Sequence, residues 1–190
     1  MTYPLVAPPI AQPLRELPRK ELLAYARWFL ESIPARVYAL QQVVRATPGH
    51  DAWSADSSVE SLEPLDLWFE KQVEVRPRSP EELAEIRAGL RFPVDVSDNT
   101  LTYRTLSLAF DIGMYWGLVI LENVPGTSWK QELRGGRSNV DYGHVVIRGN
   151  GLAPLNPFDV IRMTALGVVD GRRTGLPALY LIWREELLSR

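Results

Sequence analysis

The polar side chains that could do chemistry lie in two stretches of the chain. Asp111, followed by Tyr115, interrupts an otherwise apolar segment, and Asp141 precedes His144 in a second segment. A histidine beside a carboxylate can act as a general base, and a carboxylate among apolar residues can hold a ligand or a proton. One hypothesis is therefore a small-molecule site, or an active site, formed by Asp111, Tyr115, Asp141 and His144.

Both acidic stretches also have a structural explanation. A carboxylate that is buried has to be paired, so Asp111 can be one half of an ion pair, and the sequence favours this interpretation. We expect its partner to be Arg104, Arg148 or Arg162. His144 has no second base or ligand at a recognisable spacing. A strand histidine that contacts backbone or solvent is therefore favoured over a catalytic one.

A different hypothesis rests on side chains expected at the surface. Trp53 falls in a predicted loop and Trp129 begins a predicted strand, whereas Arg134 and Arg137 enclose two glycines. This glycine turn could cradle a phosphate, but it lacks the spacing of a phosphate-binding loop, so an exposed turn is favoured. Exposed tryptophan and arginine often anchor protein partners. A partner-binding surface of Trp53, Trp129, Arg134 and Arg137 is predicted.

The composition excludes several classes of site. The chain has 190 residues, no cysteine and a formal net charge of −2. Thiolate metal sites, disulfides and cysteine nucleophiles are excluded, and a general nucleic-acid binder is not expected without a basic excess. The start of the chain lacks the pattern of a secretory signal. We expect no metal, no cofactor, no nucleic-acid or membrane partner, and a cytoplasmic location.

Helical spacing of apolar residues accounts for most of the chain. Prolines predict an extended arm over residues 1–17, and residues 18–190 are predicted to form one globular domain. A first helix should run from Pro18 to Pro34, where proline ends or kinks it, and a second should follow to residue 46. Ser79-Pro80-Glu81-Glu82 predicts a capping box, with Leu83, Ile86 and Leu90 facing inward. Further helices are expected over 58 or 61 to 73, 98 or 99 to 122, 156 to 169 and 176 to 187.

The segment Leu106–Asn123 is predicted to be the central helix. A glycine in a helix costs about 1 kcal/mol relative to alanine, so Gly113 and Gly117 indicate that a neighbouring element approaches closely. Strands over 128–133 and 141–148, joined by an irregular tip at 134–138, predict a β-hairpin. The expected fold is α+β and helix-dominated, with this small antiparallel hairpin packed on the long central helix.

Several motifs occur in a fixed order along the chain. They are LPRKELLAYARWFLESIPARVYA (17–39), SVESLEPLDLWF (58–69), DIGMYWG (111–117), Trp129, Asp141-Tyr142, Asn156-Pro157 and Asp170-Gly171. Together they resemble a family of functionally uncharacterised, small cytoplasmic α+β proteins of bacteria. Some relatives in that family resemble immunity-type proteins of bacterial competition systems. The resemblance carries over no established activity, and its immunity-like relatives are the one pointer it gives towards protein binding.

The favoured hypothesis is a non-enzymatic bacterial protein-interaction module, immunity-like in kind, whose partner is another protein. The alternative is a small-molecule-binding protein or an enzyme that uses a polar site around Asp111 and His144. A deep polar pocket joining the polar residues would favour the alternative, and a flat apolar patch that includes Trp53 or Trp129 would favour the protein-interaction module.

Overall fold

The fold is built around helices, in the computed structural model that describes residues 3–10, 12–92 and 94–189. In chain order, the helices of these residues are α1 (Arg19–Arg45), α2 (Leu62–Glu70), α3 (Pro80–Gly89), α4 (Tyr103–Asn123), α5 (Pro157–Val169) and α6 (Leu176–Leu188). The strands are β1 (Val75–Pro77), β2 (Asn99–Leu101), β3 (Ser128–Gln131) and β4 (Val145–Arg148). β1 pairs with β2 and β3 with β4, both antiparallel. The predicted helix-dominated α+β fold is confirmed.

Helix α4 is the centre of the hydrophobic core. The Thr102 hydroxyl begins the helix by accepting a hydrogen bond from the backbone N–H of Thr105. Most of its residues from Thr105 to Ile120 are buried, against α1 on one side and α5 on the other. In the described ranges, α4 is also the helix that is long and apolar enough to cross a membrane, and 78% of its most apolar window is buried inside the protein. Core helices of soluble proteins share this property.

The close approach predicted at the two glycines of α4 is confirmed, but a different element makes it at each glycine. A Cβ atom on Gly113 would lie 3.1 Å from the backbone of Pro157 and Phe158, at the start of α5. A Cβ atom on Gly117 would collide with the ring of Trp129 in β3. Gly113 therefore permits the close approach of α5, and Gly117 permits the hairpin to pack on α4.

Helix α1 continues through Pro34, so the prediction of two separate helices was wrong. Proline removes one backbone donor from the helix interior. This loss is offset because α1 buries apolar side chains on both sides of Pro34, among them Phe29 before it and Leu40 after it. The continuous helix also places Arg36, two residues after the proline, on a regular helical face.

The predicted hairpin is present, with shorter strands. Its register pairs Ser128 with Arg148 and Gln131 with Val145. Regular pairing ends at Glu132, because Gly143 opposite it adopts the left-handed conformation with φ +88. Residues 132–144 therefore form a long, irregular tip instead of the short turn that was expected.

A second strand pair was not predicted from the sequence. In the chain, α3 lies between β1 and β2, which pair with each other. The capping box at Ser79 and Glu82 is present at the start of α3, as predicted. The expected inward-facing positions of α3 are wrong, since α3 has no buried residue and Leu90 is exposed. This segment lies outside the core that α4 organises.

The described part of the N-terminal arm packs on the helices. A 3-10 turn at Leu14–Glu16 precedes α1, and Leu14 and Leu17 are buried in a cluster with Phe29 and Met114. Upstream of that turn, residues 3–10, 12 and 13 have no regular secondary structure. Side-chain contacts from the helices therefore have to fix its position.

Candidate functional site

The carboxylate of Asp111 is fully buried and is bound by two elements. Arg36 donates from Nε to Oδ1 at 2.7 Å and from Nη2 to Oδ2 at 2.8 Å. The hydroxyl of Tyr3 donates to Oδ2 at 2.5 Å, and Arg36 Nη2 also donates to that hydroxyl and to the carbonyl of Pro4. This is a structural ion pair, the alternative that the sequence favoured, and it fastens the arm to α1 and α4.

The predicted partners of Asp111 were wrong. Each of the expected arginines binds another acidic or polar side chain: Arg104 contacts Gln72 and Glu74, Arg148 contacts Glu132, and Arg162 contacts Asp159. Arg36 follows Pro34, where the sequence predicted the end of a helix, so its position on α1 opposite Asp111 of α4 was not foreseen.

Burial dominates the titration of this pair. It raises the pKa of Asp111 from 3.8 to about 6, although the hydrogen bonds from Arg36 and Tyr3 act in the opposite direction. Burial also raises the pKa of Tyr3 far above its ordinary range, and the neighbouring Asp111 adds to that shift. The Tyr3 hydroxyl therefore remains a donor at any physiological pH.

Tyr115 binds a different part of the chain from Asp111. Its hydroxyl lies 2.5 Å from the Ser61 hydroxyl and accepts a hydrogen bond from the backbone N–H of Ser57 at 3.2 Å. Ser57 is in the left-handed region with φ 60, and Asn123 also binds its carbonyl. Tyr115 therefore holds the loop before α2 in place.

The prediction that Trp53 is exposed was wrong. Its side chain is only 6% exposed. The ring meets the ring of Tyr115 edge-on at 5.5 Å, and Nε1 donates to the carbonyl of Ser61. Trp53 closes the same loop that Tyr115 holds, and so it cannot anchor a partner at the surface.

Trp129 is partly buried, and much of its ring faces the core. Its ring packs against Phe29 at 5.5 Å and fills the space above Gly117. Its Nε1 is buried and has no hydrogen-bond partner in the described part of the chain. Instead of the expected pair of exposed tryptophans, the structure has a buried Trp53 and a partly buried Trp129 packed against the core.

Asp141 and His144 lie on the hairpin side of the molecule. Asp141 Oδ1 accepts a hydrogen bond from Asn156 Nδ2 at 2.9 Å. Burial lowers the pKa of His144, while Asp141 and Asp159 partly oppose this shift. The polar contacts of these two residues do not include Asp111 or Tyr115. The four residues therefore occupy separate networks, and the structure does not join them in one polar site.

The hairpin tip does form a polar cleft. It has a volume of about 510 Å³. Its walls include Glu132, Arg134, Asn139, Asp141, Arg148 and Leu152. The cleft lies between the tip and the loop that follows β4, and it is open to solvent. We refer to it below as the tip cleft.

A second buried carboxylate forms part of the tip cleft. Glu132 is only 2% exposed and forms an ion pair with Arg148, which also donates to the carbonyl of Leu152 at 2.8 Å. The backbone N–H of Arg134 donates to Glu132 Oε1. Burial raises the pKa of Glu132, but Arg148 and Arg134 outweigh it, so this pKa lies below its ordinary value.

The most exposed large aliphatic side chains border the same tip. Val140 is 86% exposed and Leu152 is 94% exposed. Arg134 and Arg137 are also exposed there, as the sequence predicted. The aliphatic pair was missed, because a single apolar residue in a loop gives no signal of its own in the sequence.

Comparisons with known proteins add no further assignment, since no family model, curated protein or solved structure matches the chain. Within residues 3–10, 12–92 and 94–189, no group of three or more histidine, aspartate and glutamate side chains could hold a metal ion. The site has to be interpreted from its own geometry.

Proposed function

We propose that this chain is a non-enzymatic bacterial protein-interaction module, immunity-like in kind, which binds its partner through the hairpin tip. One observation carries the proposal: Arg134 and Leu152 line the tip cleft and are strongly exposed, and Arg137 and Val140 are exposed in the same hairpin tip. A cytoplasmic location, another protein as partner, and no nucleic-acid or membrane partner belong to the same proposal.

The physical argument concerns what exposed side chains cost. Leaving a large aliphatic side chain in water costs about 1.5–3 kcal/mol relative to burying it. Two such side chains, one in the tip and one in the loop after β4, therefore favour a partner that covers them. Arginine is enriched among the residues that dominate protein interfaces. The tip offers both aliphatic and arginine side chains, and these can contact a partner while the core stays intact.

The alternative function has weaker support. A ligand or active site around Asp111 and His144 requires these residues to face a common space. Asp111 is instead closed off by Arg36 and Tyr3, and the hydrogen bonds of the described residues do not connect it with His144. The motif resemblance favours an immunity-like interaction over catalysis, and so the interaction module is the function we propose.

A capture experiment tests the proposal. The tagged chain is used as bait in a lysate of its own host, and the partner recovered is compared among variants. Val140→Ser/Leu152→Ser and Arg134→Ala/Arg137→Ala should each lose a partner that the wild type retains. These positions are exposed, so both variants should keep the wild-type melting temperature.

Matched controls come from exposed residues elsewhere. Phe92, which is 71% exposed near α3, serves as the apolar control in Phe92→Ser, and Arg172 serves as the basic control in Arg172→Ala. Both controls should retain the partner. If Phe92→Ser loses the partner while the tip variants keep it, the interface is on the α3 segment and the proposed surface is wrong.

A further inference from the structure

The charged residues of the tip cleft can each be assigned a partner or none, and this indicates the chemistry of what binds there. We infer that it recognises an acidic segment of a partner protein, in which an apolar side chain accompanies the carboxylates. This inference rests on the proposed interaction function and specifies the chemistry of the partner.

The carboxylates of the tip cleft are already engaged inside the protein. Glu132 is buried and bound by Arg148 and by the backbone of Arg134. Asp141 accepts from Asn156, and its own N–H donates to Asn139 Oδ1 at 3.0 Å. Both oxygens of Glu132 and one oxygen of Asp141 are therefore occupied by groups of the protein itself. If Arg148 and Arg134 are set against Glu132 and Asp141, the charges of these four groups cancel.

One cation at the tip has no such compensation. Arg137 is exposed and forms no ion pair with any described residue. The side chain of Arg134 is 73% exposed, and its Nε lies 3.5 Å from Glu132, so its guanidinium can reach an external carboxylate as well. The surface offered to a partner is therefore positive, and an acidic segment complements it.

The aliphatic residues decide between a protein and a nucleic acid as the source of negative charge. Leu152 lines the cleft together with Arg134, and Val140 is exposed in the same tip. Single-stranded nucleic acids are bound by aromatic side chains that stack on bases, and no aromatic side chain lines the described walls of the tip cleft. An aliphatic rim fits an apolar amino-acid side chain, so a protein segment is favoured.

Fluorescence anisotropy with a short labelled peptide of glutamate and leucine tests the inference on the full chain. The wild type should bind this peptide and should not bind a lysine–leucine peptide of equal length. Arg134→Glu/Arg137→Glu should weaken binding by about tenfold or more, since like charges then face each other. Arg172→Glu reverses an exposed arginine elsewhere and should leave the affinity unchanged. Added salt should weaken the wild-type complex.

Several results would overturn the inference. They are no binding by the wild type, equal binding by the charge-reversed tip, and preferred binding of the lysine peptide or of a single-stranded DNA oligomer. Val140→Ser/Leu152→Ser should also lower the affinity for the glutamate–leucine peptide, and it should leave the affinity for a pure glutamate peptide unchanged. An equal effect on both peptides would remove the apolar part of the inference.

The outcome can be separated from that of the proposed function. If the capture of a partner depends on the tip but the wild type does not bind the acidic peptide, the proposed interaction function is retained. The inference that the partner presents an acidic segment is then wrong. If the acidic peptide binds at the tip but capture does not depend on the tip, the cleft chemistry is correct and the proposed interface is wrong.

Discussion

Asp111 and Glu132 are both buried carboxylates that form an ion pair with an arginine, but their surroundings differ. Asp111 is fully buried, and its two oxygens are occupied by Arg36 and by the hydroxyl of Tyr3. Glu132 borders the tip cleft, where Arg148 and Arg134 bind it and solvent is close. The first pair joins distant parts of the chain, and the second supports a surface that a partner can reach.

The difference shows in the direction of the pKa shifts. Burial outweighs pairing at Asp111, whose pKa rises to about 6, whereas pairing outweighs burial at Glu132, whose pKa is lowered. A buried ion pair is therefore not a single kind of feature. Whether it marks structure or a binding surface depends on what else reaches the carboxylate and on how far water is excluded.

The largest expected effect comes from removing the arginine of each pair. Arg36→Ala leaves Asp111 buried without its main partner and should lower the free energy of unfolding by about 3–5 kcal/mol. Arg148→Ala should cost less, about 1–3 kcal/mol, because Glu132 keeps Arg134 and can gain water from the cleft. Urea unfolding of both variants measures the two costs. Equal costs would mean that the closed and open surroundings do not differ energetically.

The next prediction concerns pH and has opposite signs at the two sites. The raised pKa of Asp111 contributes stability that is present below pH 3.8 and is lost as pH rises through about 6. Its upper limit is roughly 3 kcal/mol, from the change of pKa. Relative to Asp111→Asn, the wild type should therefore gain stability as pH falls from 7 to 4.

Glu132 should behave in the opposite way. Its lowered pKa contributes stability above the ordinary glutamate pKa, and this is lost as pH falls through its pKa in the folded protein. Relative to Glu132→Gln, the wild type should lose stability in acid. Unfolding curves at a series of pH values, taken as differences between wild type and each variant, test both signs. Parallel slopes for the two variants would contradict the comparison.

A smaller effect is expected at the arm. Tyr3→Phe removes the hydroxyl that donates to Asp111 but retains the aromatic ring. The loss should be about 1.5 kcal/mol, since the hydroxyl binds a charged group, and limited proteolysis within the arm should become faster. Tyr38→Phe, at a tyrosine of α1 that is 64% exposed, is the matched control and should change neither quantity. Unchanged proteolysis in Tyr3→Phe would show that other contacts hold the arm.

Local patterns in the sequence account for much of the fold. Helical spacing, the capping box at Ser79 and the paired strands at the hairpin were all readable, as was the need for close neighbours at Gly113 and Gly117. Each of these depends on residues close together in the chain or on one helical face. Pro34 misled the prediction because local proline chemistry was overridden by burial along the rest of α1.

The candidate sites were less predictable, because they depend on distant contacts. Arg36 is 75 residues from Asp111 and Tyr3 is 108 residues from it, so no spacing could indicate the pairing. Trp53 was expected at the surface because its loop is polar, but it packs on Tyr115 of α4. At the tip, the arginines were identifiable from the glycine turn, while the exposure of Leu152 follows only from how its loop folds.

The smallest expected effect on stability belongs to the side chains that are most important for the proposed function. Arg134→Ala/Arg137→Ala should change the free energy of unfolding by less than about 0.5 kcal/mol, because both side chains are exposed and Glu132 keeps its bonds to Arg148 and to the backbone N–H of residue 134. The Glu132–Arg148 pair beneath them should persist, since its contacts do not require either guanidinium. Urea unfolding of this variant beside Arg148→Ala therefore separates the surface of the tip from its support. A loss as large as that of Arg148→Ala would show that the exposed arginines stabilise the fold, and the division between a closed structural pair and an open binding surface would then fail at the tip.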